Sequence, residues 1–219
     1  MNQFFDHCVL RDELVDGVGP WVWVKGDGTN PRGDGGAWLG PKLDWENHHK
    51  QNILKFCTKF DTVLQAGGNC GMYPKLYSRM FKNVYTFEPD VMNFFCLTIN
   101  CQERNIIKSQ AALAHVHTMI EVVHHNIDNV GMHTIQQSEK ASIPSFLIDD
   151  LVFDTLDLIH LDIEHSEEYA LNGAIETIKK HRPVLMIERG TTPSIVKLLT
   201  SLDYKHEMDS VSDAIWLPL

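Results

Sequence analysis

The sequence predicts an α/β fold, a mainly parallel sheet doubly wound by helices and preceded by an irregular N-terminal extension. Three observations carry this. From Asp61 onward, short apolar runs alternate with amphipathic stretches of helical length, the order that builds a parallel sheet covered on both faces. The run Val63-Leu64-Gln65-Ala66 breaks directly into Gly67-Gly68-Asn69-Cys70-Gly71, a strand feeding a glycine turn. Several apolar runs end on acids, where open α/β sheets place their ligands.

The elements follow in order. Trp21-Val22-Trp23-Val24 reads as a short strand. Gly26, Gly28, Pro31, Gly33, Gly35, Gly36, Gly40 and Pro41 then crowd one segment, which means turns. Trp21, Trp23 and Trp38 bracket it as anchors, suited to cover a site or to pack onto the body. Asp44-Trp45-Glu46 has helix-start character, with Ile53, Leu54 and Phe56-Cys57 as its apolar face. Strand 62–66 precedes a helix near 73–81 carrying Pro74 in its first turn, where the missing N–H costs nothing. Strand 83–88 precedes a helix capped by Asp90. Strand 107–113 follows, then two strands, Met119–Val123 and Ile143–Ile148, around a polar loop. Strand 156–163 leads to a helix over 166–180, acidic in its first turn and basic in its last, as the helix dipole favours. Strand 184–188, a helix from Pro193 to about Leu202, and strands Tyr204–Met208 and Ala214–Leu217 close the chain. The division is residues 1–60 as an N-terminal cap with a Gly- and Trp-rich loop, and residues 61–219 as the ligand-binding domain.

Composition narrows the class. The 219 residues are 43% hydrophobic, enough for a sizeable core in one α/β domain. No apolar run reaches the ~18–20 residues a membrane helix needs, and the N-terminus lacks a basic start and apolar h-region. No membrane association and a cytoplasmic location are expected. The net charge of −10 repels a phosphate backbone, so duplex nucleic acid is not an expected partner. Five cysteines without a Cys-x-x-Cys argue for reduced thiols rather than disulfides or a zinc ribbon.

Four strand ends carry polar groups: the Gly67–Gly71 turn, Glu88, Asp162-Ile163-Glu164-His165, and Glu188. A glycine turn lets backbone N–H groups approach a ligand, and an acid at the tip of the next strand can accept both hydroxyl hydrogens of a ribose. Together they point to an adenosine-bearing cofactor. An NAD site is the weaker reading, because Gly67-Gly68-x-x-Gly71 is not Gly-x-Gly-x-x-Gly.

Three segments resemble a known family. Val63–Gly71 is similar to the first motif of class I methyltransferases of the FkbM type, and Val84-Tyr85-Thr86-Phe87-Glu88-Pro89 to the second. Ile148-Asp149-Asp150-Leu151, Leu158–Glu167 and Leu171–Ala174, continued by Pro183–Glu188, resemble the long third block. The resemblance covers about residues 60–219 and implies a seven-stranded Rossmann-like fold using S-adenosylmethionine. It implies that Gln65, Gly67, Gly68, Asn69 and Gly71 hold the methionine and ribose part, and that Glu88 takes the ribose hydroxyls. Ala111 and Ala112 would border the adenine, and Asp162 would face the sulfonium. The implied reaction is O-methylation of a hydroxyl on a sugar, glycan or other small molecule. The chain departs from the family pattern at Gln65, His160 and His165, where Asp, Lys and Gly are usual.

An alcohol attacks a sulfonium methyl poorly while protonated, so a base is expected. His165 is the candidate, with Glu164 or Glu167 orienting it. A magnesium ion on Asp162, Glu164 and Glu188 is the lesser alternative, and no metal is expected. His48-His49 and His124-His125 read as surface residues. A methyltransferase-fold binding module without activity is the alternative from another class. The acceptor and the oligomeric state are not specified by the sequence.

Overall fold

A computed structural model describes residues 5–25, 42, 44–125, 131–211 and 213–219. The glycine-rich segment with Trp38 lies outside them. The strands in chain order are β1 (Cys8–Arg11), β2 (Trp21–Val24), β3 (Thr62–Ala66), β4 (Asn83–Phe87), β5 (Ile106–Ser109), β6 (Ala112–Leu113) and β7 (Met119–His124). They continue with β8 (His133–Gln136), β9 (Ile143–Phe146), β10 (Leu158–Leu161), β11 (Val184–Glu188), β12 (Tyr204–Ser210) and β13 (Asp213–Pro218).

Seven of them form one sheet in the order β12-β13-β11-β10-β3-β4-β5. It is mixed. β11, β10, β3, β4 and β5 run parallel, whereas β13 is antiparallel to both β11 and β12. β6, β9, β7 and β8 form a separate four-stranded sheet, and β1 pairs antiparallel with β2.

Alternation along the strands sorts the interior into two halves. Val63, Val84, Leu158, Met186 and Ile215 pack with Ile53, Leu76 and Leu97, from helices Lys50–Phe56, Met72–Tyr77 and Val91–Asn100. Leu64, Phe87, Ile159, Leu161, Leu185 and Ile187 pack with Leu171, Ile178 and Leu199, from helices Glu167–Asn172, Ile175–His181 and Pro193–Ser201. The sheet is therefore covered on both sides, and each buried aliphatic side chain contributes roughly 1.5–3 kcal/mol relative to exposure.

The first half of the interior is not wholly apolar. Register places Thr86 beside Gln65 and Gln65 beside His160, all fully buried. The Thr86 hydroxyl donates to Gln65 Oε1 at 2.7 Å, and Gln65 Nε2 donates to the carbonyls of Ala66 (3.0 Å) and Gly67 (2.8 Å). The His160 ring Nδ1 bonds the Tyr77 hydroxyl at 2.6 Å. Every side-chain donor and acceptor of Gln65 in this row is thus engaged in bracing the glycine turn from below.

Several boundaries differ from the expectation, each for a local reason. The strand expected over 107–113 is two strands, because the chain leaves the main sheet after Ser109 and pairs again at Ala112 with β9. The polar loop after Val123 contains β8, paired with β7. The helix expected over 166–180 breaks at Gly173, where a Cβ would lie 2.1 Å from the Ala114 backbone oxygen. The helix expected over 73–81 ends at Tyr77 and continues only as turns. The segment from Trp45 to His49 opens with a wide π-type turn before Lys50–Phe56.

The N-terminal segment packs against the body. Trp21 and Trp23 are buried in the first half of the interior. Asn100, at the end of its helix, accepts from the Val22 N–H at 2.8 Å and donates to the carbonyls of Val22 (2.7 Å) and Cys70 (2.6 Å). The five cysteines are free thiols, as the spacing suggested. Among the described residues, no helix is long and apolar enough to cross a membrane.

Candidate active site

A cavity of about 270 Å³ opens at the carboxyl ends of β3, β4, β10 and β11. Its location follows from register. One pleat above the buried row Thr86–Gln65–His160, on the same face, the next row reads Glu88, Gly67, Asp162, Glu188 and Asp213. The four strand ends singled out in the sequence therefore converge at one edge.

The glycine turn forms one wall. Gly67 adopts φ +83°, and a Cβ there would lie 1.8 Å from the Asp162 backbone oxygen, so only glycine lets β3 and β10 come together at their exits. The N–H groups of Gly67 and Gly68 both donate to the Phe87 carbonyl, at 3.0 and 2.9 Å. Asn69 sits at φ +45°. Its backbone N–H donates to Glu88 Oε2 at 2.6 Å, while Glu88 Oε1 accepts from the Asp90 N–H at 2.9 Å. Glu88 is 5% exposed, yet its carboxylate borders the cavity. Burial pushes its pKa up to about 7, against the two backbone hydrogen bonds that pull it down.

Asp162, Glu164 and Glu188 form the opposite wall. One carboxylate oxygen from each lies within 4.8 Å of the others. All three pKa values are raised. Burial is the leading cause in each; Glu188 further raises Asp162 and Glu164, and Asp213 raises Glu188, while Arg189 and a hydrogen bond with Asp162 pull Glu188 down. Glu188 Oε2 is buried with no hydrogen-bond partner among the described residues. The site is therefore strongly acidic and suited to a positively charged ligand group.

Ala112 and Leu113 of β6, Val122 of β7, and His133 and Ile135 of β8 border the cavity from the small sheet, and Trp23, Asp44 and Tyr73 from the N-terminal side and helix Met72–Tyr77. Apart from Ala112, the small-sheet contributors went unrecognised in the sequence. The alternation His133-Thr134-Ile135-Gln136 was the available signal, diluted by the polar residues around it.

Of the residues singled out in the sequence, Gly67, Gly68, Asn69, Glu88, Ala112, Asp162 and Glu164 border the cavity. Five do not. Gln65 lies one pleat below, committed to Thr86 and the turn carbonyls. Gly71 closes the turn at φ +94°, where a Cβ would meet Cys101 Sγ at 2.8 Å. Ala111 points into the apolar half of the interior. Glu167 is 3% exposed and accepts from the Ile163 N–H at 3.0 Å, shaping the exit of β10. His165, at φ +74°, is exposed and hydrogen-bonded to the Arg189 guanidinium, not to Glu164 or Glu167. A donor that close to the imidazole competes for the lone pair a general base would use.

The histidine doublets also differ from a plain surface reading. His48 and His125 are exposed, but His49 is buried and bonds Asp213 Oδ2 at 2.5 Å. His124 reaches Asp90 Oδ2 at 2.7 Å while Asp90 Oδ1 caps helix Val91–Asn100 through the N–H groups of Met92 and Asn93.

Comparison with known proteins gives one family. The model of the methyltransferase FkbM domain matches residues 69–209. No curated protein sequence matches the chain. Among solved structures, methyltransferase FkbM from Methylobacillus flagellatus KT is similar at 21% identity and a TM-score of 0.48, over 72% of this chain and 43% of that one. The chain thus spans less than half the length of that relative. A ribosomal protein L11 methylase from Lactobacillus delbrueckii subsp. bulgaricus gives 14% identity and a TM-score of 0.49, over 84% of this chain and 81% of that one. A Streptococcus mutans methyltransferase in complex with SAH gives 10% and 0.45, over 76% and 92%.

Proposed function

Since the chain belongs to the methyltransferase FkbM family, whose cofactor is S-adenosylmethionine, we propose that it methylates a hydroxyl oxygen of a small molecule or sugar. The observation that carries this is the row of strand ends around one cavity: Glu88 beside the glycine turn, and Asp162 with Glu188 across from it.

The residues present fit the cofactor. The Glu88 carboxylate, fixed by the Asn69 and Asp90 N–H groups and by the Asn93 side chain, borders the cavity and retains acceptor capacity for a ribose diol. The Gly67–Asn69 backbone borders the cavity without a Cβ at Gly67 or Gly68. Asp162 borders the place where a sulfonium would lie, and that positive charge would draw its raised pKa back down and favour the carboxylate. When bound, the cofactor supplies an electrophilic methyl group.

The chain's own contribution is alignment and proton removal. Holding the acceptor oxygen in line is worth several kcal/mol by itself. Glu188 takes the acceptor's proton. It borders the cavity, has an unpartnered Oε2, and its raised pKa makes it a stronger base than an exposed glutamate. Residues 61–219 form the catalytic domain in this reading, and the 1–60 cap selects the acceptor, with Trp23 already at the cavity edge.

The test is calorimetry with S-adenosylmethionine, S-adenosylhomocysteine and NAD, followed by transfer from a methyl-labelled donor to a panel of sugars and small alcohols. Tight S-adenosylhomocysteine binding, transfer to a hydroxyl, and loss of turnover with retained binding in Glu188→Gln are expected. Binding of S-adenosylhomocysteine without turnover on any acceptor, or label recovered on nitrogen or carbon, overturns the O-methylation reading.

A further inference from the structure

Beneath the cavity lies a second polar cluster that the proposed reaction does not use. His49, His160 and Asp213 come from three separate elements, and one ligating atom of each lies within 4.8 Å of the other two. All three residues are buried, at 3%, 0% and 2% exposure. His49 Nε2 and Asp213 Oδ2 are 2.5 Å apart, and His160 Nε2 lies 3.7 Å from the same oxygen.

His160 carries the argument. Its Nε2 is buried and has no hydrogen-bond partner among the described residues, yet it is aimed at the carboxylate. Its other ring nitrogen, Nδ1, is held by the Tyr77 hydroxyl at 2.6 Å. The Tyr77 hydroxyl can donate or accept at Nδ1; in the tautomer with Nδ1–H donating to the Tyr77 oxygen, the one that metal binding requires, the Nε2 lone pair faces Asp213 and His49. Two lone pairs, on His160 Nε2 and Asp213 Oδ2, then face each other across 3.7 Å with nothing between them. That repels unless a cation or a proton is shared there. An imidazole fixed in one tautomer by an outer partner is how proteins present a histidine to a metal. His49 contributes the third donor on the opposite side of the same oxygen.

We propose that His49, His160 and Asp213 bind one divalent transition-metal ion of the zinc type. Two imidazoles and one carboxylate suit zinc, cobalt or iron, and do not suit magnesium or calcium, which take all-oxygen sets. The ion displaces the proton shared by His49 and Asp213 and takes a water as its fourth ligand. It joins the segment before helix Lys50–Phe56 to β10 and β13. Tyr73, which borders the cavity, packs its ring 5.0 Å from His49 and 5.3 Å from His160, so the ion sits under the floor of the site rather than in it. This inference does not depend on the methyl-transfer reading.

The same molecule supplies an internal control. Asp90, His124 and His133 form another His–His–Asp group, less buried because its His124 is 60% exposed. The experiment uses the full chain, stripped with a chelator, desalted, and titrated with Co²⁺ by visible absorption and with Zn²⁺ by calorimetry. One equivalent is expected to bind with a tetrahedral Co²⁺ spectrum and to raise Tm. His160→Gln and Asp213→Asn are expected to abolish it, His124→Gln to leave it intact, and Tyr77→Phe, which removes only the outer partner, to weaken it about tenfold. Circular dichroism checks each fold. Should His160→Gln or Asp213→Asn fail to fold, the Tyr77→Phe titration and the wild-type stoichiometry decide. Folded wild type that gives no Co²⁺ spectrum, or binding lost in His124→Gln and kept in His160→Gln, overturns the proposal.

Discussion

The two faces of the seven-stranded sheet are built on different chemistry. On one, the buried strand residues Leu64, Ala66, Phe87, Ile159, Leu161, Leu185, Ile187, Ala214 and Trp216 are apolar or aromatic, with Thr62 at its lower edge as a buried polar exception. On the other, Thr86, Gln65, His160 and Asp213 interrupt the aliphatic residues, and the cavity lies on that side. The first face stabilises by area removed from water, which is non-directional. The second trades area for hydrogen bonds that have to be satisfied in fixed geometry, each buried orphan costing about 1–3 kcal/mol. Stability and ligand geometry are thereby assigned to opposite sides of one sheet.

That division can be broken by substitution. The largest effect is expected on the apolar face. Leu161→Ala, fully buried, should cost roughly 2–5 kcal/mol in denaturant unfolding while leaving the S-adenosylhomocysteine affinity of the folded fraction unchanged. A matching loss of affinity would merge the two faces into one unit.

Glu88→Gln should do the reverse. It replaces a charged acceptor of two backbone donors, and affinity should fall by about thirtyfold, or ~2 kcal/mol. The pH dependence follows from the pKa of about 7. Accepting ribose hydroxyls favours the ionised form, so binding lowers that pKa. Wild-type affinity should therefore rise from pH 6 to pH 8, and calorimetry should show this slope diminished in Glu88→Gln.

Thr86→Val tests the braced row. It strips the donor from Gln65 Oε1, and about 1–2 kcal/mol of stability should go with it. His165→Ala is the smallest change. An exposed ring held by Arg189 outside the cavity should cost under about 0.5 kcal/mol, with turnover within twofold of wild type. A large drop in kcat with intact cofactor affinity would restore His165 as the base.

The fold was legible wherever a strand is buried on both sides and bounded by punctuation. β3, β4, β10 and β11 each read as short apolar runs, and the acids visible at their ends border the cavity. Two things were not legible. The first was half of the small sheet: β7 and β9 read as strands, but β6 has two residues and β8 is half polar, too short or too mixed for a period to show. The second was which polar residue faces the cavity. Gln65 and Gly67 are two positions apart on the same face, and only the depth of the turn decides that one lines the site and the other supports it. The placement of His165 was hidden for a similar reason: its left-handed backbone after Glu164, also at positive φ, turns the side chain toward Arg189. Asp213 drew no notice because its partner, His49, lies 164 residues away.

One contact in the N-terminal region has a measurable reach. The Asn100 amide holds both the Val22 peptide group and the Cys70 carbonyl, tying the exchange behaviour of a hairpin amide to the backbone that carries Asn69. Saturating the protein with nucleoside should slow deuterium uptake at Val22, making an edge strand far along the chain a gauge of occupancy.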